Sequence, residues 1–313
     1  MIAIINLVSH HYELFRYILE HTKNKEIHIF TDKKNRVSNN YLEYYNNNYI
    51  FNIYNINFLK DNQDKYNKII IITYKNIPEW FNYENENVYM VLHTNQQHRR
   101  NPKVKNYICL YENFSKKLKN IFPEKNIYYN LPIYNTIIKK EEQKKKDKIL
   151  YIGQLYEYFD IYKQYGAQPE KFINFINNLN YEVIFFGFSF SRNKKLEKLK
   201  NIRIEEDTSL INLEKLLSET KFIIGRNCYP YEDNFSGSIA ISLSYEIPII
   251  MKQSKIDEFD IIGIGYEEYY DEVIYLINNM NDDYYNSIIN KIKDIKEINI
   301  SKNNNFFAKY IFE

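Results

Sequence analysis

Glycine is scarce in this chain, and its positions match neither of the common glycine-rich nucleotide-binding motifs. The sequence has 7 glycines in 313 residues, and none precedes Gly153. A GxGxxG fingerprint after the first strand and a GxxxxGK[ST] phosphate loop are therefore both missing. A nicotinamide-dependent dehydrogenase and a P-loop NTPase are disfavoured for this reason.

Cysteine and long apolar runs are also rare. Cys109 and Cys228 are the 2 cysteines, and their separation in the sequence suits neither a disulfide framework nor a metal site. The N-terminal run MIAIINLV is too short for a signal peptide or a membrane span, and no later run reaches the roughly 18 apolar residues of a spanning helix. We expect a soluble, cytoplasmic protein with no transmembrane segment and no bound metal.

The net charge is small, at +2 from 42 basic and 40 acidic residues, so no overall field attracts the protein to nucleic acid or an anionic membrane. One compact basic segment, HRRNPKVK at 98–105, is either a solvated loop or a contact for an anionic acceptor such as DNA or an acidic glycan. Nucleic acid is thus an open but not a favoured partner. The excess of Asn, Lys, Ile and Tyr is typical of an A/T-rich genome, including viral ones.

Short apolar runs alternate with amphipathic segments along most of the chain, which predicts parallel sheets with crossover helices. In the first half, strands are predicted at 2–8, 26–31, 68–74, 88–93 and 106–111, and helices at 11–22 and 113–122. In the second half, strands are predicted at 148–153, 181–187, 201–206 and 221–225, with helices at 169–179, 192–200 and 210–219. Closing helices are predicted at 266–277, 281–296 and 302–311.

The lysine-rich run KKEEQKKKDK divides these two series and predicts a solvated linker. We therefore expect an N-terminal Rossmann-like domain, a linker, a C-terminal Rossmann-like domain and a last helix that packs back on the first domain. The expected bounds are 1–138, 139–147, 148–297 and 298–313.

Glycines and histidines separate between the two halves. All 7 glycines lie at or after residue 153, and three of them directly follow predicted strands, where ligands bind in doubly wound sheets. The Ser236-Gly237-Ser238 step at the start of a predicted helix exposes backbone N–H groups that suit a phosphate, although an ordinary serine N-cap is the alternative. All 6 histidines lie at or before residue 98, which places proton transfer in the first half.

Several segments resemble the GT-B family of glycosyltransferases. KILYIGQL, EVIFFG and LEKLLSETKFIIGRN resemble the strands of its nucleotide-sugar domain, and YEDNFSGSIAISLSYEIPIIM resembles its acidic-glycine loop, helix and next strand. IINL, EVIFFG and FIIGRN…YEDNFSGS are also similar to the phage DNA β-glucosyltransferases. The resemblance implies an α/β fold with two Rossmann-like domains facing across a cleft.

The resemblance further implies a metal-independent transferase that takes a nucleotide diphosphate sugar, UDP-linked among others, as donor substrate and needs no other cofactor. Its acceptor would be a glycan or another hydroxyl compound. The implied donor-binding residues are Gly153, Gln154, Gly187, Arg226, Asn227, Asp233, Asn234, Phe235, Ser236, Gly237 and Ser238. The sequence departs from the E-x7-E pattern of retaining enzymes, because Ile241 stands where the second carboxylate would follow Asp233.

A transfer with inversion needs a base on the acceptor hydroxyl, and histidine titrates near neutral pH. His93 follows a predicted strand and is the first choice, with His10 and His11 after the first strand as the others. Each could instead be a structural histidine. Two other functions stay open, a GT-B-like protein that binds nucleotide sugars without catalysis and a DNA-modifying glucosyltransferase.

Overall fold

The structure is a computed structural model. It describes residues 1–8, 11, 13–22, 25–31, 42–73, 75–93, 103–135, 146–153, 167–187, 199–226, 235–267 and 270–312. The chain forms two compact units. The first contains residues 1–134, Phe235 and the C-terminal segment from Ile298, and the second contains most of the remaining residues.

The first unit is built on a seven-stranded sheet with the strand order β3-β2-β1-β4-β5-β6-β7. All of its strand pairs are parallel. The strands are β1 (Ile2–Asn6), β2 (Ile27–Thr31), β3 (Asn52–Tyr54), β4 (Lys68–Ile71), β5 (Val88–Leu92), β6 (Asn106–Cys109) and β7 (Asn126–Tyr129). Strands β1, β5 and β6 are fully buried, as their largely apolar sequences predict.

Helices α1 (Glu13–Thr22) and α2 (Glu112–Ile121) belong to this unit, with short 3-10 turns at Ile56–Leu59 and Gln63–Lys65. The C-terminal segment packs on it through aromatic and polar contacts. The Tyr89 hydroxyl donates to the Tyr310 carbonyl at 3.0 Å, and His21 Nδ1 lies 2.8 Å from Asn304 Oδ1. These contacts explain why the last residues of the chain cluster with its first half.

The second unit is built on a six-stranded parallel sheet with the order β10-β9-β8-β11-β12-β13. Its strands are β8 (Lys148–Ile152), β9 (Glu182–Phe186), β10 (Ile202–Glu205), β11 (Thr220–Ile224), β12 (Ile249–Lys252) and β13 (Gly263–Tyr266). Its helices are α3 (Pro169–Asn177), α4 (Leu210–Glu219), α5 (Gly237–Tyr245), α6 (Gln253–Phe259) and α7 (Tyr270–Asn278). Helix α8 (Asp282–Phe306) follows and continues into a π-helical turn, Phe307–Ile311.

Most predicted elements are present within one or two residues, and the differences have local causes. The three-residue edge strand β3 is largely exposed, so it lacks a buried apolar pattern. The helix predicted at 266–277 is described as Tyr270–Asn278, and Tyr266 instead belongs to the strand Gly263–Tyr266, which pairs with β12. The two helices predicted at 281–296 and 302–311 are one continuous helix up to Phe306. The helix predicted at 192–200 lies largely outside the described residues.

None of the helices that the structure describes is both long and apolar enough to span a bilayer.

Candidate functional site

Each sheet reverses its strand order at one point, and ligands of doubly wound sheets bind at the carboxyl ends of the strands beside that point. In the first unit the reversal lies between β1 and β4, and in the second it lies between β8 and β11. The residues directly after these four strands are therefore the first candidates for binding and chemistry.

In the second unit, Gly153 and Arg226 come together at this point. Gly153 follows β8 with a φ of +97°, and its N–H donates to the Phe186 carbonyl at 2.9 Å. A Cβ atom built on Gly153 would lie 3.5 Å from the guanidinium carbon of Arg226. The guanidinium therefore lies over a backbone position that only glycine adopts easily. A planar fork of N–H donors at this place suits a diphosphate.

Gly225 fixes where Arg226 leaves the sheet. A Cβ on Gly225 would lie 2.9 Å from Ile249 Cδ1 and 3.1 Å from Met251 Cβ, so a larger residue would press on these two side chains of β12. The Gly225 N–H also donates to the Ile250 carbonyl at 2.8 Å. Close packing of β11 on β12 thus carries the backbone of Arg226 to the carboxyl edge.

Helix α5 packs against the same sheet, since it contacts β11. Ser236 is its N-cap, and the Ser236 Oγ accepts from the Ser238 N–H at 3.4 Å and lies 2.7 Å from the Ser238 Oγ. Both side chains are buried, at 0 % and 2 % exposure. Their hydroxyls therefore serve the start of the helix, and a phosphate contact here would use backbone N–H groups.

The other end of α5 is held by a lysine from α8. Lys296 Nζ donates to the Ser244 carbonyl and to Glu246 Oε1, each at 2.8 Å. A cation at a helix C-terminus is favourable because the last carbonyls carry partial negative charge. Glu246 itself ends the helix in the left-handed conformation, with φ 56°. The buried helix is therefore fixed at both ends.

In the first unit, a buried polar pair bridges the two strands at the reversal point. Thr73, two residues past the end of β4, donates from Oγ1 to Asn6 Oδ1 at 2.8 Å. Asn6 pairs in register with Thr31 of β2. All three side chains are buried. This row of uncharged polar groups was not predicted from the sequence. The polar residue Asn6 within the apolar run IAIINLV is the feature of the sequence that could have indicated it.

His11 and His93 meet at the same edge. Their ring centroids are 3.8 Å apart with an interplanar angle of 34°. His93 is 2 % exposed, and its Nε2–H donates to the Ile72 carbonyl at 2.8 Å. His11 is half-buried and has a φ of 68°. Two of the three predicted catalytic histidines are thus in contact, and His11 is the more exposed ring.

Phe235, predicted as a donor residue, lies in the first unit with these histidines. Its N–H donates to the His93 carbonyl at 3.1 Å, and its ring is stacked with Tyr111 at 6.4 Å between centroids. Gly187 directly follows β9, beside Gly153's partner Phe186. The predicted residues His10, Gln154, Asn227, Asp233 and Asn234 lie outside the described residues.

Two lysines of the basic segment at 98–105 are described, and both are paired. Lys103 Nζ lies 3.3 Å from Glu84 Oε1, and Lys105 Nζ lies 2.9 Å from Glu86 Oε1. The hydrogen bond to Lys105 is the main cause of a lowered pKa of Glu86. In the described part of the chain, no group of three or more His, Cys, Asp or Glu side chains is placed to hold a metal ion.

The comparisons with known proteins give structural matches only. No protein-family model matches the sequence, and no curated protein shows a significant sequence match. The crystal structure of Anabaena Alr3699/HepE in complex with UDP-glucose is similar at a TM-score of 0.66 and 9 % identity, over 99 % of this chain and 98 % of that one.

Spinosyn forosaminyltransferase SpnP is similar at a TM-score of 0.56 and 9 % identity, over 95 % of this chain and 94 % of that one. The Methanocaldococcus jannaschii UDP-GlcNAc 2-epimerase in complex with UDP-GlcNAc and UDP is similar at a TM-score of 0.54 and 10 % identity, over 94 % and 99 %. Similarity at these identities establishes the fold. The predicted class, α/β with two Rossmann-like sheets of the GT-B type, is confirmed.

Proposed function

We propose that this protein is a glycosyltransferase that moves a sugar from a nucleotide diphosphate sugar to a hydroxyl acceptor. One observation carries the proposal: the Arg226 guanidinium lies over the left-handed Gly153 at the reversal point of the second sheet. A diphosphate leaving group gains negative charge as its bond to the sugar breaks. A fixed guanidinium beside it stabilises that charge.

The donor nucleotide that we propose first is UDP. HepE was crystallised with UDP-glucose and the epimerase with UDP, and both share the fold of this chain over nearly their whole length. Backbone N–H groups at the start of α5 would add to the phosphate contacts of Arg226. The acceptor that we propose is a glycan or another hydroxyl compound.

In the proposed reaction, the acceptor oxygen forms a bond to the anomeric carbon while the bond from that carbon to the diphosphate oxygen breaks. The nucleoside diphosphate leaves with the electron pair, and the proton of the acceptor hydroxyl passes to a base. The base that we propose is an imidazole of the His11–His93 pair in the first unit. We expect the reaction to need no metal, so that activity persists in excess EDTA. We also propose that the protein is located in the cytoplasm.

Nucleotide titration tests the donor site. Isothermal titration calorimetry with UDP, UDP-glucose, GDP, CDP and dTDP should show binding of at least one nucleotide. Arg226→Met should weaken it by about 10- to 150-fold, the worth of a hydrogen bond to a charged group of about 1.5–3 kcal/mol. Arg203→Met removes the same charge from the partly exposed edge strand β10 and is the matched control.

Titrations of the wild type and of Arg226→Met distinguish an error in the donor site from an error in the proposed function. If the wild type binds a nucleotide and Arg226→Met binds it equally well, the proposed donor site is wrong. If the wild type binds none of the nucleotides, the proposed function is wrong.

Epimerisation of a nucleotide sugar is a second candidate, because the fold is shared with UDP-GlcNAc 2-epimerase over 94 % of this chain. Proton NMR of the wild type with UDP-GlcNAc and UDP-glucose separates the two reactions. A transferase releases UDP, slowly by hydrolysis without acceptor and faster with one. An epimerase forms a new UDP-sugar and needs no acceptor, and a catalytically inactive binding protein leaves the donor unchanged.

A further inference from the structure

His93 is too constrained to approach an acceptor. Its side chain is 2 % exposed, and its Nε2–H is directed at the Ile72 carbonyl at 2.8 Å. Because a carbonyl oxygen only accepts, Nε2 carries a proton in every state that keeps this bond. The main chain is fixed as well, since the His93 carbonyl accepts the Phe235 N–H. His93 is therefore a rigid part of the unit.

His11 has the opposite properties. It is half-buried, and its backbone has a φ of 68°, a conformation that costs a residue other than glycine about 1–2 kcal/mol. The His11 carbonyl accepts the Leu14 N–H at 3.2 Å, which ties this residue to the first turn of α1. Its ring lies on the ring of His93 at 3.8 Å between centroids. An unfavourable backbone conformation persists only where its surroundings hold it.

We infer that His93 is a positioning residue whose ring supports His11, and that His11 is the group that accepts the proton of the acceptor hydroxyl. This inference rests on the proposed function. The Ile72 carbonyl orients the His93 ring, and the flat ring holds the imidazole of His11 at the carboxyl edge of the sheet. Preorganisation of this kind raises the rate because the base spends less time in unproductive orientations.

Substitutions at position 93 separate the ring from the hydrogen bond. His93→Phe keeps a flat ring under His11 and loses the bond to Ile72. His93→Gln keeps an N–H donor for Ile72 and loses the ring. We expect His93→Phe to retain kcat within about 5-fold. His93→Gln and His93→Ala should lower kcat by about 10- to 100-fold, which is part of the roughly 10²–10⁴-fold rate increase that a positioned base provides. The KM for the donor should change less than about 3-fold in all three.

His11→Ala should lower kcat at least as much as His93→Ala. The double variant His11→Ala/His93→Ala should be no slower than His11→Ala, because a positioning residue has nothing to position once the base is gone. His28 is the matched control, since it is also buried in this sheet, bonded to Tyr66 at 2.7 Å and in ring contact with Tyr54. His28→Phe should leave kcat unchanged even where it lowers stability.

Proton NMR of the His11 ring tests the positioning without any activity. A ring centred 3.8 Å from another ring has its proton resonances shifted by ring current, so these resonances in the wild type should differ from those of an exposed histidine. His93→Ala and His93→Gln should abolish the difference, and His93→Phe should preserve it. A protein with no transferase activity would still give this result, so the two proposals fail separately.

Two outcomes would overturn the inference. One is full activity of His11→Ala together with equal loss in His93→Phe and His93→Ala, which would make His93 the base. The other is a wild-type His11 ring with the resonances of an exposed histidine, or resonances that do not respond to the loss of the ring at position 93.

Discussion

Two helices in the second unit end on a left-handed residue that is not glycine. Replacing these two residues with glycine should change the stability of the protein in opposite directions. Glu246 ends α5 with φ 56°, and Asp260 ends α6 with φ 51°. Helices often end with a glycine in this left-handed conformation. A chain with 7 glycines in 313 residues uses acidic residues here instead. We predict that Asp260→Gly is stabilising and that Glu246→Gly is destabilising.

The magnitudes follow from the surroundings of each residue. Glycine relieves a left-handed strain of about 1–2 kcal/mol. It also increases the entropy of the unfolded chain, at a cost of about 0.4–1 kcal/mol. Asp260 is exposed, and an aspartate tolerates this conformation better than most residues. The net gain for Asp260→Gly should therefore be about 0.5 kcal/mol.

The substitution Glu246→Gly relieves the same left-handed strain but removes an ion pair. The side chain of its partner Lys296 is 10 % exposed and that of Glu246 is 30 % exposed. A hydrogen bond between charged groups contributes about 1.5–3 kcal/mol, and Lys296 keeps its bond to the Ser244 carbonyl in the variant. The lost pair outweighs the relieved strain, so Glu246→Gly should be less stable than the wild type by about 1–2 kcal/mol.

Urea unfolding at pH 7 measures both variants, with the midpoints compared at equal slopes. Glu246→Gln is the control that keeps a side-chain acceptor and removes the charge, and it should fall between the wild type and Glu246→Gly. If Glu246→Gly proves as stable as Asp260→Gly, the Lys296 pair contributes nothing and the reasoning is refuted.

Three further predictions concern the same fold. Gly153→Ala should lower the free energy of unfolding by about 1–3 kcal/mol because of its φ of +97°, whereas Gly187→Ala, after the neighbouring strand, should cost less; equal costs in urea unfolding would contradict this. Gly263→Ala should lower the free energy of unfolding by about 1–3 kcal/mol or more, since its Cβ would lie 2.6 Å from the backbone oxygen of Ile249. Gly265→Ala meets the Gln253 side chain, whose end can rotate away although its Cβ lies 3.2 Å from the added atom, so the thermal midpoint should fall less than for Gly263→Ala. Asn130 is 1 % exposed, and neither side-chain atom has a hydrogen-bond partner in the described part of the chain. Asn130→Leu should leave the urea midpoint unchanged or raise it, and a clear loss would indicate a buried water bound to the amide.

Much of the fold follows from the sequence because the signals are local. The strand Val88–Leu92 and the last four residues of Glu182–Phe186 are continuous apolar runs, which a parallel sheet buried on both faces requires. Helix α4 begins after Ser209, whose side chain accepts from the Asn212 N–H as an N-cap. Glycines after β8 and β9 indicated the strand ends where a ligand could approach the backbone.

Local signals failed where pairing decides the structure. Gly263–Tyr266 has a weak strand pattern on its own, and it becomes a strand because Gly263 allows close approach to Ile249 of β12. The predicted break near residue 300 is absent, since Asn299 and Asn303 continue α8 with buried side chains. Asn303 Nδ2 donates to the Leu131 carbonyl, a partner distant in sequence.

The sequence by itself determined the α/β class, the two strand–helix series and the residue types available for binding and proton transfer. Only the tertiary structure decided which of them meet. The approach of Arg226 to Gly153 depends on β11 pairing beside β8, and the ring contact of His11 with His93 depends on β4 lying between β1 and β5. The physical reason is that hydrophobic periodicity and capping act between neighbours in the chain, whereas strand order is chosen by the packing of the whole sheet.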